Sequence, residues 1–236
     1  YIKAIQHWHP YEFYPAMGMS IMAPFALLFR EQGKLVPILW HYSPKSHLGK
    51  SIVFRMFSLN LFGIDTVAGN SIDSEFRFLN IIDSICGFIS INEVDEVDFK
   101  KLDDILKNFP EQRNAGCRGQ QNLSTISYLS RAVLGMTSNR FKIKTKNTLE
   151  RILKIEYDGT KEGERNLRGN SDEVDRLLSQ MEPIGWRLVE DELKHVANSF
   201  GNLMNDINKH ADKLRGLTMF IDPRRPERKR TRLNSS

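Results

Sequence analysis

Apolar runs alternate with amphipathic segments along residues 33–158. Four runs have the length and composition of strands, at residues 35–42, 87–91, 132–136 and 152–155, and the first two have the pattern of buried strands. Residues 51–62, 76–84 and 97–109 instead carry their apolar side chains at helical spacing. Strands that alternate with helices predict an α/β fold, in which helices flank a mostly parallel sheet.

Proline and glycine residues set several of the predicted boundaries. Pro37 cannot donate to a strand ladder, so it marks the beginning of the first strand. Gly63 closes the helix over residues 51–62, and Pro110 ends the helix over residues 97–109. Residues 64–75 and 111–125 are polar or turn-rich, which predicts loops there.

The N-terminal segment, residues 1–32, is rich in aromatic residues and is predicted to be helical after Pro15. Pro24 should bend or interrupt that helix. The apolar stretch at residues 17–29 is too short and too interrupted to cross a bilayer, which predicts a buried helix and no membrane association.

The chain after residue 158 differs in composition from the α/β core. Residues 158–170 are rich in glycine and charge, and residues 172–182 and 187–215 are predicted to be helices joined around Pro183 and Gly185. We therefore divide the chain into an N-terminal helical segment (1–32), an α/β core (33–158), a helical C-terminal subdomain (159–222) and a basic tail (223–236).

Charge and cysteine content exclude some classes of protein. The formal net charge of the chain is +5, but the tail alone contributes +5, so the rest is neutral and gives no sign of a basic binding surface. The tail is either a basic arm or translated cloning sequence. Cys86 and Cys117 lack metal-ligand spacing and the density of a disulfide framework, which predicts a reduced, cytoplasmic compartment.

A phosphate-binding pattern lies between the first strand and the first helix of the core. The residues match G-x-x-x-x-G-K-[ST] at every position except the first, where Pro44 replaces glycine. Gly49 lets backbone N–H groups approach phosphates at a helix N-terminus, Lys50 would neutralise the β- and γ-phosphates, and Ser51 would bind Mg²⁺. A G-K-S tripeptide also arises by chance, but its position between strand and helix favours an ATP site, formed by Pro44, Lys45, Ser46, His47, Leu48, Gly49, Lys50 and Ser51.

Residues 88–93 have the form of a Walker B motif, a hydrophobic strand that ends in polar residues. Asn92 stands where aspartate is usual, so it can ligate or orient a metal-bound water but carries no charge. Glu93 is the candidate catalytic base. Asp95 and Glu96 would compensate for Asn92 if the loop turns back, and the alternative is that these acids cap the next helix.

A third element, residues 133–140, is a strand that ends in Thr137, Ser138 and Asn139. It resembles the sensor 1 motif of AAA+ and superfamily 3 ATPases, in which a polar residue reads the γ-phosphate. By that resemblance Asn139 is a candidate catalytic residue. An isolated Thr-Ser-Asn segment is usually only a turn.

Residues 44–51, 88–93 and 134–139 together resemble the helicase domain of virus- and plasmid-type replication proteins, superfamily 3 or a close AAA+ relative. This domain is often the C-terminal half of a primase–helicase, and the resemblance covers about residues 20–158. It implies a P-loop ATPase that acts as a replicative DNA helicase, uses ATP and Mg²⁺, binds single-stranded DNA and forms a homo-oligomeric, hexameric ring. It also implies an arginine finger presented to the neighbouring subunit, with Arg151 as the first candidate and Arg140 as the second.

The same family places a DNA-gripping hairpin between Walker B and sensor 1, where this chain has the glycine-rich residues 113–122. Arg113 and Arg118 would contact phosphates, and residues 120–122 offer neutral donors. An ordinary flexible loop is an equal alternative, since the segment lacks an aromatic residue that would stack on bases.

Two other classes of function stay open. A regulatory P-loop switch with little or no hydrolysis would suit Pro44 and Asn92. A small-molecule phosphotransferase would need a lid with several arginines, and residues 52–76 contain only Arg55.

Overall fold

The computed structural model describes residues 10–46, 48–119, 125–157, 176–191, 194, 202, 205 and 209. The chain divides into two compact units, Tyr1–Trp186 and Arg187–Ser236. The predicted linker at 158–170 and the basic tail at 223–236 lie outside the described residues.

Seven strands are found among the described residues, and all belong to the first unit. They are β1 (Ile38–Tyr42), β2 (Val67–Ala68), β3 (Phe88–Asn92), β4 (Asn114–Gly119), β5 (Thr125–Leu129), β6 (Val133–Ser138) and β7 (Ile152–Glu156). Five of them form one sheet in the order β2-β3-β6-β1-β7, in which every neighbouring pair is parallel. The remaining pair, β4 and β5, forms a separate antiparallel hairpin.

Helices connect the strands of the large sheet, as the predicted α/β fold requires. Among the described residues up to Tyr157, the α-helices are α1 (Pro10–Met22), α2 (Ala26–Glu31), α3 (Lys50–Arg55), α4 (Glu75–Ser84), α5 (Phe99–Asn108) and α6 (Lys146–Leu149). A π-helical turn, Met56–Asn60, continues α3 towards Gly63, whose φ of 70° lies in the left-handed region that ends helices. The predicted helix over residues 51–62 is therefore confirmed, with one irregular turn.

The three central strands are buried on both faces, which explains why their sequences are continuous apolar runs rather than alternating ones. Every residue of β6 is buried, as are the first four of β1 and of β3. Gly135 lies at the middle of β6, where an added Cβ would lie 2.4 Å from the Phe88 ring and 2.9 Å from the Phe54 ring. The absence of a side chain there lets these two rings close the core.

The N-terminal helices pack on this core along one side. By length and composition alone, Glu12–Glu31 would also be able to cross a membrane. In the fold, the Phe13 ring is fully buried and lies 4.9 Å from the Phe57 ring, centroid to centroid. Arg30 is also buried, where Nη1 donates to the carbonyl oxygens of Ser130 and Ala132 and the guanidinium lies over Phe109. The prediction of a buried helix is therefore confirmed for the face that carries Phe13 and Arg30, whereas Tyr14, Ile21 and Leu28 are exposed.

Some predicted boundaries were wrong. Helix α1 begins at Pro10 rather than after Pro15, which lies inside it, whereas the break at Pro24 is confirmed by the 3₁₀ turn Ala23–Phe25. Residues 64–75 contain β2, and residues 111–125 contain β4 and the start of β5, although both were predicted to be loops. These strands are short or rich in glycine, and pairing with a partner strand stabilises them rather than their own propensity.

Residues 176–186 pack on the end of the first core helix. The Asn60 amide donates to the Leu178 carbonyl (2.8 Å), and the Trp186 indole N–H donates to the Phe62 carbonyl (2.8 Å). Residues 176–179 and 185–191 are helical and are separated at Pro183, as predicted. The domain boundary at residue 159 stays a prediction.

Candidate nucleotide site

The three predicted motifs lie at the carboxyl ends of three neighbouring parallel strands. Strand β6 lies between β1 and β3 in the sheet, so the segments that follow these strands are adjacent in space. Ligands of open α/β sheets bind outside the carboxyl ends of the strands. The sheet order therefore assembles one candidate site from residues far apart in the sequence.

The predicted phosphate-loop segment lies between a strand and a helix, as the motif requires. It follows β1 and ends at Gly49, whose φ of 78° and ψ of 6° are left-handed, and α3 begins at the next residue, Lys50. The Gly49 carbonyl accepts hydrogen bonds from the N–H groups of Ile52 and Val53 (3.1 Å each), which closes the first helical turn. Pro44, Lys45 and Ser46 are exposed, Leu48 is buried, and His47 lies outside the described residues.

The Lys50 side chain lies inside the site and is only 7% exposed. Its ammonium donates to the Lys45 carbonyl oxygen at 2.9 Å and to Asn139 Oδ1 at 3.0 Å. Burial lowers the pKa of Lys50, and the negative charges of Asp95 and then Glu93 oppose that shift. Lys50 and Asn139, the predicted Walker A lysine and sensor 1 residue, are thus in direct contact, although 89 residues separate them in the sequence.

The predicted Walker B segment ends in a strained turn that is hydrogen-bonded to β6. Glu93 follows β3 with φ 56° and ψ 54°, the one non-glycine residue with positive φ among the described residues. The Glu93 N–H donates to Thr137 Oγ1 (3.1 Å), and the Thr137 hydroxyl donates to Asn92 Oδ1 (3.3 Å). Thr137 therefore fixes both predicted Walker B residues, a role that its sequence position alone did not indicate.

The loop after Glu93 turns back towards the site, as compensation by an acidic residue requires. Asp95 lies in the 3₁₀ turn Val94–Glu96, and its carboxylate accepts hydrogen bonds from the N–H groups of Asn139 (2.9 Å) and Arg140 (2.7 Å). The acid that caps the next helix is a different one, Asp98, which accepts from the Lys100 N–H (3.2 Å). Asp95 therefore turns back towards the site while Asp98 caps the helix, and compensation for Asn92 stays a prediction.

Gly69 packs closely against the backbone of the turn at residues 92–96, which we call the acidic turn. It follows β2, and an added Cβ would lie 2.4 Å from the Glu93 carbonyl oxygen and 2.9 Å from that of Asn92. Nothing in the local sequence indicated this contact. Only a residue without a side chain allows the two backbones to approach so closely.

A buried polar pair lies beneath the phosphate loop. His41 Nδ1 and the Tyr157 hydroxyl are 2.9 Å apart, and both side chains are buried. Burial, and to a smaller degree the charge of Lys50, lowers the pKa of His41 to about 3, while burial raises the pKa of Tyr157. The neutral imidazole also packs on the Phe54 ring of α3, with centroids 4.3 Å apart, and so connects β1, α3 and the end of β7.

The two arginine-finger candidates lie at opposite edges of the sheet. Arg151 immediately precedes β7, at the amino ends of the strands, where Nη2 lies 2.9 Å from Glu111 Oε2. Arg140 follows β6 at the carboxyl edge and is exposed beside the candidate nucleotide site. The structure thus brings Arg140, and not Arg151, near the Lys50 and Asn139 of its own chain.

Ser51, the predicted Mg²⁺ ligand, is the second residue of α3 and is partly exposed.

The glycine-rich segment between Walker B and sensor 1 forms the β4–β5 hairpin, which the loop interpretation missed. Its base lies at the amino edge of the sheet, where Asp83 Oδ1 accepts from the Leu129 N–H (3.1 Å) and from Arg131 Nε (2.9 Å). Arg113 at the base lies 3.4 Å from Glu31 Oε1, and Arg118 lies further along β4. Residues 120–124, between the two strands, lie outside the described residues.

The parallel sheet, the flanking helices and the loop that joins β1 to α3 define a P-loop NTPase-like fold. Among solved structures the chain is similar to the protein titled "SCCmec type IV Cch - active helicase", with a TM-score of 0.55 and 15% sequence identity. The match covers 80% of this chain and 35% of the helicase chain, so this chain spans about a third of that protein's length. The fold is therefore helicase-like.

A second solved structure, the apo A form of the C-terminal region of NrS-1, matches with a TM-score of 0.32 and 13% identity, over 74% of this chain and 44% of that one. A TM-score at that level supports no argument. No family model matches the chain, and no curated protein matches it either.

Proposed function

We propose that this chain contains the ATPase core of a nucleic-acid motor of the replicative DNA helicase type. The observation that carries the proposal is the contact between Lys50 Nζ and Asn139 Oδ1, at 3.0 Å, beside the turn that holds Asn92 and Glu93. This contact joins the Walker A lysine to the residue that resembles sensor 1. A chance G-K-S tripeptide gives no reason for such a contact.

The roles of the side chains follow from their positions. Lys50 uses two of its three N–H donors on Lys45 and Asn139, and the third would bind a β- or γ-phosphate oxygen of ATP. The backbone N–H groups at the start of α3 would bind the other phosphate oxygens. Glu93 is exposed at the same edge and would accept a proton from the attacking water. Asn139 would contact the terminal phosphate.

The side-chain oxygens available as metal ligands fit a Mg²⁺ ion that binds together with the nucleotide. The described residues contain no group of three or more His, Cys, Asp or Glu that could hold a metal ion. Magnesium at ATP sites uses few protein ligands and takes the rest from phosphates and water, which suits Ser51 and the neutral Asn92. The ion would supply charge neutralisation to the phosphates, and Ser51 would hold it.

The proposal extends to DNA binding by the β4–β5 hairpin and to an arginine finger that acts between subunits. The β4–β5 hairpin, with Arg113 and Arg118, would bind the phosphates of single-stranded DNA. A homo-oligomeric, hexameric ring in the cytoplasm would place an arginine from one subunit at the nucleotide of the next. Arg151 suits that role in one respect, since it lies away from its own phosphate loop.

Lys50→Ala in the full-length protein tests the nucleotide site. We expect ATP affinity to fall at least about tenfold, because the variant loses a charge-assisted hydrogen bond of about 1.5–3 kcal/mol. Lys144→Ala, which removes an exposed lysine outside the three motifs, is the matched control and should bind ATP normally. Equal ATP binding by the Lys50→Ala variant and the wild type, measured by titration calorimetry, would refute the assignment.

A regulatory switch with little hydrolysis is the second candidate, because Pro44 and the neutral Asn92 both depart from the motifs of efficient ATPases. Steady-state hydrolysis with and without single-stranded DNA separates the two. The motor requires stimulation by DNA in the assembled, full-length protein. Tight ATP binding without stimulation would favour the switch and end the motor proposal.

A further inference from the structure

Asp95 connects the turn after β3 to the turn after β6. Strand β6 ends at Ser138, so the N–H groups of Asn139 and Arg140 lie beyond its ladder. Each donates to a different oxygen of the Asp95 carboxylate, at 2.9 and 2.7 Å. Lys142 Nζ also contacts the backbone carbonyl of Asp95. Charge-assisted hydrogen bonds of this kind are about twice as strong as neutral ones.

This connection acts on the residue that contacts Lys50. The Asn139 side chain reaches Lys50 Nζ from a backbone whose N–H is held by Asp95. Asn92, in the position of the usual Walker B acid, is neutral, and its Oδ1 accepts from Thr137. The carboxylate that is hydrogen-bonded to the Lys50–Asn139 pair, through the backbone N–H of Asn139, is therefore that of Asp95.

Capping of the next helix does not account for Asp95. The N-cap of α5 is Asp98, whose Oδ1 accepts from the Lys100 N–H. The Asp95 carboxylate instead accepts from the N–H groups of Asn139 and Arg140. Its negative charge also opposes the lowering of the Lys50 pKa by burial, to a greater degree than that of Glu93.

We propose that Asp95 is a positioning residue of the nucleotide site, whose carboxylate clamps the turn at residues 139–140 so that Asn139 meets the terminal phosphate of a nucleoside triphosphate. The proposal deepens and rests on the proposed function. It assigns to Asp95 the selectivity for triphosphate over diphosphate, because only the triphosphate presents a phosphate to Asn139. An asparagine at position 95 keeps one acceptor but turns an N–H₂ group towards the second amide.

Nucleotide selectivity is the first test, in full-length protein titrated with ATP and with ADP. Asp95→Asn should weaken ATP binding about tenfold, the loss of one charged hydrogen bond, and leave ADP binding within about twofold. Asn139→Ala should do the same, and the double variant should lose no more than either single one. Asp98→Asn, which changes the neighbouring acid of the same loop, should alter neither affinity. Equal weakening of ATP and ADP, or additive losses in the double variant, would overturn the proposal.

Amide hydrogen exchange of the nucleotide-free protein is the second test and does not depend on ATP binding. Asp95→Asn should accelerate exchange at the Asn139 and Arg140 amides at least about tenfold, while Asp98→Asn should leave both rates unchanged. Unchanged exchange in the Asp95→Asn variant would show that no clamp exists. If the wild type bound neither nucleotide, the proposed function would fail, and the exchange rates would still decide whether Asp95 holds the turn.

Discussion

Replacing Gly69 with alanine should displace the acidic turn while leaving the phosphate loop intact. The added Cβ would lie 2.4 Å from the Glu93 carbonyl oxygen, whereas carbon and oxygen atoms approach to about 3.3 Å even in close contacts. One of the two backbones must therefore move by about 0.9 Å. The obstacle is backbone rather than a flexible side chain, and Glu93 is already in a left-handed conformation, so the contact has little means of relaxing.

The expected consequences are a loss of stability and a larger loss of turnover. Overpacking of a tight contact costs about 1–3 kcal/mol of the free energy of unfolding. A misplacement of about 1 Å in a catalytic group can lower its rate about 100-fold. Because Gly69 does not belong to the phosphate loop, ADP affinity should change by less than about threefold, a difference below 1 kcal/mol.

Thermal unfolding and single-turnover ATP hydrolysis of the full-length protein measure these effects. Gly18→Ala is the matched control, because Gly18 lies inside α1 with no atom within 4 Å of an added Cβ. It should leave hydrolysis unchanged and stabilise the fold by up to about 1 kcal/mol. If Gly69→Ala behaved like Gly18→Ala in both assays, the proposed link between the β2 turn and Glu93 would be wrong.

Two further outcomes are expected. His41 has a pKa of about 3 in the fold and about 6.5 when unfolded, so the stability it contributes is complete above pH 6.5 and declines as the pH falls towards 3. The free energy of unfolding should drop by about 2 kcal/mol between pH 7 and pH 5 on this account, and chemical denaturation of a His41→Phe/Tyr157→Phe variant should lack that component. In the hairpin, Arg118→Ala should reduce the slope of log affinity for single-stranded DNA against log salt by about 0.7. Arg113→Ala should reduce it less, because Arg113 is paired with Glu31, and equal slopes for the two variants would contradict this ranking.

Much of the α/β architecture could be predicted from local sequence. The runs that became β1, β3 and β6 are apolar because the central strands of a parallel sheet are covered on both faces, whereas β7 is an edge strand with no fully buried residue. The pattern failed for β2, which has two residues, and for β4, which contains two glycines. Those strands exist because β3 pairs with β2 and β5 pairs with β4, and the local sequence preference of β2 or β4 does not record such pairing.

The candidate site was predictable in its parts but not in its connections. Sequence placed Lys50 at the beginning of a helix and Glu93 and Asn139 after buried strands, because motif spacing and hydrophobic period are local properties. The chain alone did not determine that β6 lies between β1 and β3, and this order is what brings Asn139 to Lys50. It also left open whether Asp95 turns back to the site or caps the next helix, and the tertiary contacts show that Asp95 turns back while Asp98 caps the helix. A hydrogen bond or a close approach such as that of Gly69 to Glu93 depends on the register of paired strands, and register is set by the packing of the whole sheet.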